Sequence, residues 1–572
     1  MKARYLSIFA IFAALAFTSC NDFLDKNPDT RVELVNVEQL RQLLIDGYTN
    51  ESYAVVGELS SDNVIDNNSP SSEGVRYNLG SYSLADDEIY AWEDVRAATD
   101  NDSPSGIWNG CYHAIAVANA VLEKGEALIA DGTLSTDDRA KLDAVMAEAY
   151  LTRAYHHFLL VNIFCMPYGK TSATDQGVPY ATKPETTVNP HYERGTVAQD
   201  YEMIEKDLVA GLAKVSDLYY EQPKYHFNKQ AAYAFAARFY LFKREYEKVI
   251  EYANLCFEGY DPAALMNDIW GKAGAYYYIS DMGRYYTNVA RPGNFLNIST
   301  YSTWWRRFKS SGRYACNREA KRATIQGPGP TWENCRWRNS KGEVFSMHPC
   351  FNGFCGSIYG DSEYGTYFAG NMCEQFEYTD KIQSIGYCHV VRSEFTAEET
   401  LLCRAEAKAF MNDFEGCVAD LKIWDEAHKK GVASTSSMVE MTADVIEKFY
   451  AQDTEGYGIV KPIHIDEVCA SNYPLTEANL PYVQACQHIR RIQLVHTGAR
   501  WFDIKRFGLS IEHNVGLSGT RKLEVLDPRY AIQIPTEVLG AGMEPTTRTR
   551  ATALGSPTAV TYKPATAGGE EN

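Results

Sequence analysis

The sequence predicts a mainly α protein: a stack of helical hairpins with a large irregular, loop-rich lobe inserted into it. Three observations predict it. Two long blocks carry a capped 3.6-residue period, one hairpin is copied 168 residues downstream, and two stretches between and before these blocks lose all period. With 45% apolar residues in 572, the chain can fill a core and is not disordered over most of its length.

The N-terminus reads as an address. Lys2 and Arg4 precede an apolar run from Tyr5 to Phe17, which is too short to cross a bilayer core of roughly 30 Å and has the shape of a secretory h-region. Phe17-Thr18-Ser19-Cys20 follows as a relaxed lipobox, so residues 1–19 are the expected lipoprotein signal peptide and Cys20 the expected lipidated first residue of the mature chain. Two or more acyl chains on one residue anchor a protein stably where one does not. No later apolar run approaches the length of a membrane span. The formal charge of −19 becomes −21 once Lys2 and Arg4 leave, a surface that repels phosphate backbones and argues against nucleic acid as a partner.

The helical blocks follow from their caps. "STDDRAKLDAVMAEAYLTRAYHHFLLVNIF" opens on Ser135 and Asp138 as a capping pair and carries Leu142, Val145, Met146, Ala149, Tyr150, Ala154 and Phe158 down one face. Thr196 with Gln199, and Thr396 with Glu399, open two more helices. Sliding "ARFYLFKREYEKVIEYAN" by 168 residues onto "AEAKAFMNDFEGCVADLK" pairs Ala237 with Ala405, Phe242 with Phe410, Tyr246 with Phe414 and Ile250 with Val418. A small residue, an aromatic, a short polar turn and another aromatic is the grammar of a tetratricopeptide-like helical hairpin. The expected divisions are residues 20–50 as a mature N-terminal segment, 51–104 as a loop-rich segment and 105–257 as the first half of the helical-hairpin array. Residues 258–392 are an irregular aromatic- and Cys-rich lobe, 393–540 the second half of the array with a closing segment, and 541–572 a tail expected to be mobile.

Cysteine, metal and catalytic signals are weak. Cys111, Cys165, Cys256, Cys403, Cys417 and Cys486 sit on apolar helix stripes and read as core. Cys316, Cys335, Cys350, Cys355, Cys373 and Cys388 crowd one loop-rich stretch, where an exported protein is expected to form one or more bridges of undeduced pairing. His348 and His389 lie near them without zinc-ligand spacing, and no metal or cofactor is expected. His156-His157 reads as a half-buried helix face. Nucleophile-elbow, zincin, Walker and dinucleotide fingerprints are missing from the sequence, so the chain is not expected to be an enzyme. A glycoside hydrolase would need two carboxylates roughly 5–9 Å apart across a cleft, and nothing singles out Asp361 and Glu363 for that role.

With these landmarks in order, the chain resembles the SusD/RagB family of Bacteroidetes surface lipoproteins. "CNDFLDKNP" resembles the family's mature start, and "AEAYLTRAYHHFLLVNIFCMPYG", "ERGTVAQDYEMIEKDL" and "EETLLCRAEAKAFMNDFEGCVADLKIWDEA" resemble its helices. "IRRIQLVHTGARWFDIKRFG" and "YAIQIPTEVL" are similar to its late block and close. The resemblance implies an outer-membrane, lipid-anchored, cell-surface protein. Such a protein binds a nutrient, most often a glycan, or in some relatives a peptide, and partners a SusC-like TonB-dependent transporter. It also implies that ligand contacts come from the loop before "WNGCYHAIAVAN" and from the middle insertion. The candidates in the loop are Tyr90, Trp92, Arg96, Asp100 and Asn101. Those in the insertion are Tyr285, Tyr286, Trp304, Trp305, Arg306, Trp332 and Trp337. Adjacent Trp304 and Trp305 cannot face one way in an extended stretch, so one is expected to pack inward and the other to serve as a platform. Arg491, Arg500, Asp503 and Arg506 are expected to pair with one another and with acidic neighbours in a structural role.

Overall fold

A computed structural model describes residues 34–71, 74–96, 101–187, 191–266, 279–310, 312–338, 344–346, 348, 368, 370–429, 437–452, 458–548 and 561–562. Cys20, Asp100, Cys350, Cys355 and the side chain of Trp337 fall outside it. The chain is mainly helical. Its principal helices are α1 (Val37–Leu44), α2 (Ala54–Ser60), α3 (Leu84–Tyr90), α4 (Pro104–Asp131), α5 (Thr136–Phe164), α6 (Val197–Leu212), α7 (Lys229–Lys243) and α8 (Tyr246–Phe257). After the insertion come α9 (Ala397–Phe410), α10 (Phe414–Lys429), α11 (Leu480–Gln493) and α12 (Ala499–Phe507).

Local chemistry sets the ends of these helices. Ser103 accepts the Gly106 N–H before α4, Pro104 occupies the first turn, and Gly132 at φ 71° stops the helix. Ser135 caps α5 by accepting from Asp138 N at 3.1 Å. Thr196 and Gln199 form the full reciprocal capping box on α6. Thr396 caps α9, but the Glu399 side chain turns away from the cap to take Arg238 at 2.9 Å and Arg490 at 2.9 Å.

Helices pack as α4 on α5, α5 on α6, α7 on α8 and α9 on α10, with α8 against α9 and α9 against α11. The two copied hairpins match to the turn residue: Arg244 and Asn412 both adopt the left-handed conformation, at φ 58° and 61°. Ala237 and Ala405 are fully buried where the helices approach. Burying each ring of the hairpin contributes about 2–3 kcal/mol.

A buried ionic network closes the late block onto the stack. Arg490 meets Glu399 at 2.9 Å and Asp503 at 3.0 Å, and Arg506 takes Glu406 and Asp503. Arg500 pairs with Asp62 at 2.8 Å, and Arg491 donates to Asn63 at 3.0 Å. Arginine forks satisfied on both sides hold such positions, and losing one partner would strand a buried charge. Between α2 and α12 the backbones touch: a Cβ on Gly57 would lie 2.4 Å from Gly498 O. Gly498 itself sits at φ 84° and donates its N–H to Glu58 at 3.0 Å.

The inserted lobe is less irregular than its sequence suggests. It holds a three-stranded antiparallel sheet of β1 (Asn294–Tyr301), β2 (Cys373–Asp380) and β3 (Ile385–Thr396), with β3 in the centre. Asn294 lies opposite Thr396, so the first strand leaves the stack beside the point where the last one returns. The loop-rich 51–104 segment likewise contains α2, buried at every residue, and α3.

Every cysteine of the described residues is a buried free thiol, including Cys316, Cys335, Cys373 and Cys388, so no bridge joins these four; Cys350 and Cys355 of the same stretch lie outside the described residues. One sequence expectation needs correction. His156 and His157 are fully buried, not half-buried. Each bonds the carbonyl four residues back through Nδ1, to Thr152 at 2.6 Å and Arg153 at 2.9 Å, and accepts a backbone N–H at Nε2, from Thr49 and Ala181. Burial lowers their pKa values to about 4 and about 3, which keeps both rings neutral. Among the described residues, no helix is long and apolar enough to cross a membrane.

Candidate ligand-binding face

Asp102 joins the loop before α4 to the insertion. It sits at φ 62°, a strained conformation for a non-glycine residue, and is fully buried. Its carboxylate accepts from Ser302 Oγ at 2.6 Å, Thr303 N at 2.7 Å and Thr303 Oγ1 at 2.9 Å, with Arg307 Nε at 3.7 Å. Burial pushes the Asp102 pKa up, against the pull of Arg307 and these donors. Arg307 also pairs with Asp86 and lies 4.9 Å from the centroid of Tyr82, whose ring is exposed.

From that anchor the chain turns helically through Thr303–Ser310 and presents Trp305, half-buried, and Arg306, exposed. Arg306 reaches Glu374 of β2 at 3.6 Å and lies 5.8 Å from the centroid of Phe376. Strand alternation puts Glu374, Phe376 and Tyr378 on one face of β2. Phe376 and Tyr378 meet edge to face at 4.8 Å and are 36% and 50% exposed. Burial raises the Glu374 pKa, with Arg306 opposing it, and Glu374 Oε2 is buried without a hydrogen-bond partner among the described residues. Tyr82, Trp305, Phe376 and Tyr378 thus offer ring surface beside a cation and an acid. Such a face can cover the apolar side of a sugar ring and bond its hydroxyls.

Residues 22–241 match the family model for SusD-like proteins, described as starch-binding and associating with the outer membrane. Solved structures repeat the fold over nearly the whole chain. A candidate sugar binding protein from Bacteroides vulgatus has a TM-score of 0.56 at 16% identity, covering 90% of this chain and 99% of its own. A SusD superfamily protein from Bacteroides thetaiotaomicron has a TM-score of 0.51 at 17% identity, covering 90% of this chain and 100% of its own. Over residues 22–241 the chain is similar to SusD-like proteins, and over nearly its whole length it has their fold. A laminarin binding SusD-like protein also shares the fold, with a TM-score of 0.50 at 14% identity over 89% of this chain and 98% of its own. No curated protein matches the chain.

The sequence-selected residues divide by burial. Tyr90 is buried, accepts the Asp66 N–H at 3.0 Å and stacks on His513. Trp92 is buried beside it and donates to Ser60 O at 3.0 Å. Trp304 donates to His496 O at 2.9 Å and Trp332 to Gly327 O at 3.0 Å, both with no exposed surface. Tyr286 is buried, and Arg291 lies 5.2 Å from its ring centroid. Packing therefore accounts for these five, while Trp305, Arg306, Asn101, Arg96 and Tyr285 keep accessible surface. Trp304 and Trp305 separate because consecutive residues of a helical turn point about 100° apart, not because the stretch is extended. Tyr82, Glu374, Phe376 and Tyr378 were not among the sequence candidates. The i, i+2, i+4 pattern of "CEQFEYTD" is the signal that could have found the last three.

Proposed function

We propose that this protein is a cell-surface glycan-binding lipoprotein, anchored in the outer membrane through Cys20, that delivers an oligosaccharide to a SusC-like TonB-dependent transporter. The observation that carries the reading is the anchor at Asp102, which fixes the turn that carries half-buried Trp305 and from which Arg307 reaches the ring of Tyr82 and Arg306 that of Phe376. The face offers ring surface, one cation and one acid; its work is to hold a ligand, and no bond is made or broken there. The match of residues 22–241 to a family described as starch-binding and associating with the outer membrane supports that setting and a carbohydrate cargo. The test is retention of the mature protein on affinity gels carrying glycans or peptide digests, together with a reducing-sugar assay. Retention by glycans, weakened by Trp305→Ala, is expected. Retention by peptides alone, or steady release of reducing ends, would overturn the reading.

A further inference from the structure

Away from the Trp305 face, a cavity of about 340 Å³ opens between α4, the extended segment from Pro179 to Glu185, and the chain from Glu537 to Met543. Its floor is one stripe of α4, with Trp108, Tyr112 and Ile115 at helical spacing and Ala116 at the edge. Tyr192, Val538 and Met543 complete the apolar walls. A volume of this order lies at the lower end of small-molecule sites, roughly 300–1,000 Å³.

The polar groups of the floor are already engaged. Tyr112 donates its hydroxyl to Pro179 O at 2.8 Å. The Asn119 amide donates to Ala181 O at 3.1 Å and Lys183 O at 3.3 Å, and its oxygen accepts from Arg153 at 2.8 Å. Glu537 accepts from Ser105 Oγ. A bare sugar entering this floor would bury hydroxyls with nothing to replace their water, at a cost of about 1–3 kcal/mol each. A flat apolar ring loses nothing there, and the walls of Trp108, Tyr112, Tyr192 and Met543 suit a ring over an alkyl chain through edge and sulfur contacts. The rim is the reverse: Lys183, Glu185 and His191 are solvent-exposed and can bond a polar tail.

We propose that this cavity is a second binding site, which takes an uncharged aromatic ring carried on a polar tail, as an aryl ester or an aryl glycoside presents it. The site does not depend on the glycan reading of the Trp305 face. Calorimetric titration of the mature protein with phenyl β-D-glucopyranoside, methyl cinnamate and methyl β-D-glucopyranoside tests it. Binding of at least one aryl probe, and none of the methyl glucoside, is expected at millimolar concentration. The tighter aryl probe identifies the carrier as glycoside or ester. Ala116 and Ala541 are exposed at the mouth, so Ala116→Trp and Ala541→Phe fill the opening at little cost to folding, and each should weaken aryl binding at least tenfold. Trp305→Ala should leave it unchanged. On the unaltered protein, a phenyl diazirine glucoside should label Tyr192, Met543 or their neighbours on photolysis. No binding of either aryl probe, equal binding of the methyl glucoside, undiminished binding in the filled variants, or labelling confined elsewhere would overturn the proposal.

Discussion

The ring of Tyr246 lies flat on that of Phe410, with centroids 4.8 Å apart and planes 5° apart. Phe414, the copy of Tyr246 in the next hairpin, lies on Tyr482 at 4.4 Å and 5°. The same aromatic therefore joins each hairpin to the helix that follows it, α8 to α9 and α10 to α11. Tyr246→Ala should destabilise by about 3–5 kcal/mol, through lost burial and the cavity left behind. A double-mutant cycle with Phe410→Leu, read by denaturant unfolding, should give a coupling of about 0.5–1.5 kcal/mol.

At the turn, Asn412→Ala should destabilise by about 1 kcal/mol, because a β-carbon is strained at φ 61° while asparagine tolerates it. Asn412→Gly should match or exceed the native protein. Thermal unfolding separates the two outcomes.

Trp305→Ala should cost about 1–2 kcal/mol in glycan affinity, roughly tenfold, with a smaller loss of stability than a core indole because the ring is only half-buried, against Phe368. Trp304→Ala, one residue earlier and fully buried, should instead destabilise the fold by about 3–5 kcal/mol. Calorimetric binding beside thermal unfolding checks the pair.

Asp102 touches no proposed ligand atom, yet Asp102→Ala should weaken glycan binding, because Ser302 and Thr303 lose the acceptor that fixes the start of the Trp305 turn. Asp102→Asn keeps both an acceptor and tolerance of positive φ, and should retain more affinity. Limited proteolysis should cut Asp102→Ala faster than the native protein near Ser302 and Thr303, whose bonds to the carboxylate are lost.

Glu58 gives the fold a pH dependence. Burial pushes its carboxyl up to about 7, although Gly498 N–H and Asn63 pull it down, while the unfolded chain releases that proton near 4.5. Between these values the folded state binds the extra proton, so this residue's contribution falls as pH rises from about 4.5 to 7 and then levels off, by about 3 kcal/mol at most. Glu58→Gln should gain stability relative to the native protein at pH 8 and lose that advantage below about pH 5, measured by denaturant unfolding across the range.

The helices were legible because their ends are written in short chemistry: Ser135 with Asp138, Thr196 with Gln199, and a repeated small residue and aromatic on either side of a polar turn. The sheet was less so. The strand Asn294–Tyr301 is buried at every residue except Ser299 and Tyr301, on both faces over most of its length, so its sequence carries little alternation to read. The site was half legible. The two segments that Asp102 joins were named, and Trp305 and Arg306 with them. Nothing in an aperiodic stretch says which indole points inward, however, since that depends on a distant carbonyl: His496 O for Trp304, Ser60 O for Trp92. The helical Arg490–Arg506 block reads as structural from sequence, and its partners are buried Glu399 and Glu406 and half-buried Asp62.

The lobe's exit and re-entry are rungs of one ladder, Asn294 across from Thr396, and that closeness has a practical meaning. Whatever is threaded between those two points needs only to start and finish a strand's width apart. The inserted segment thus sits in a fixed socket, and its contents can be exchanged while the helices on either side, α8 and α9, keep their own packing.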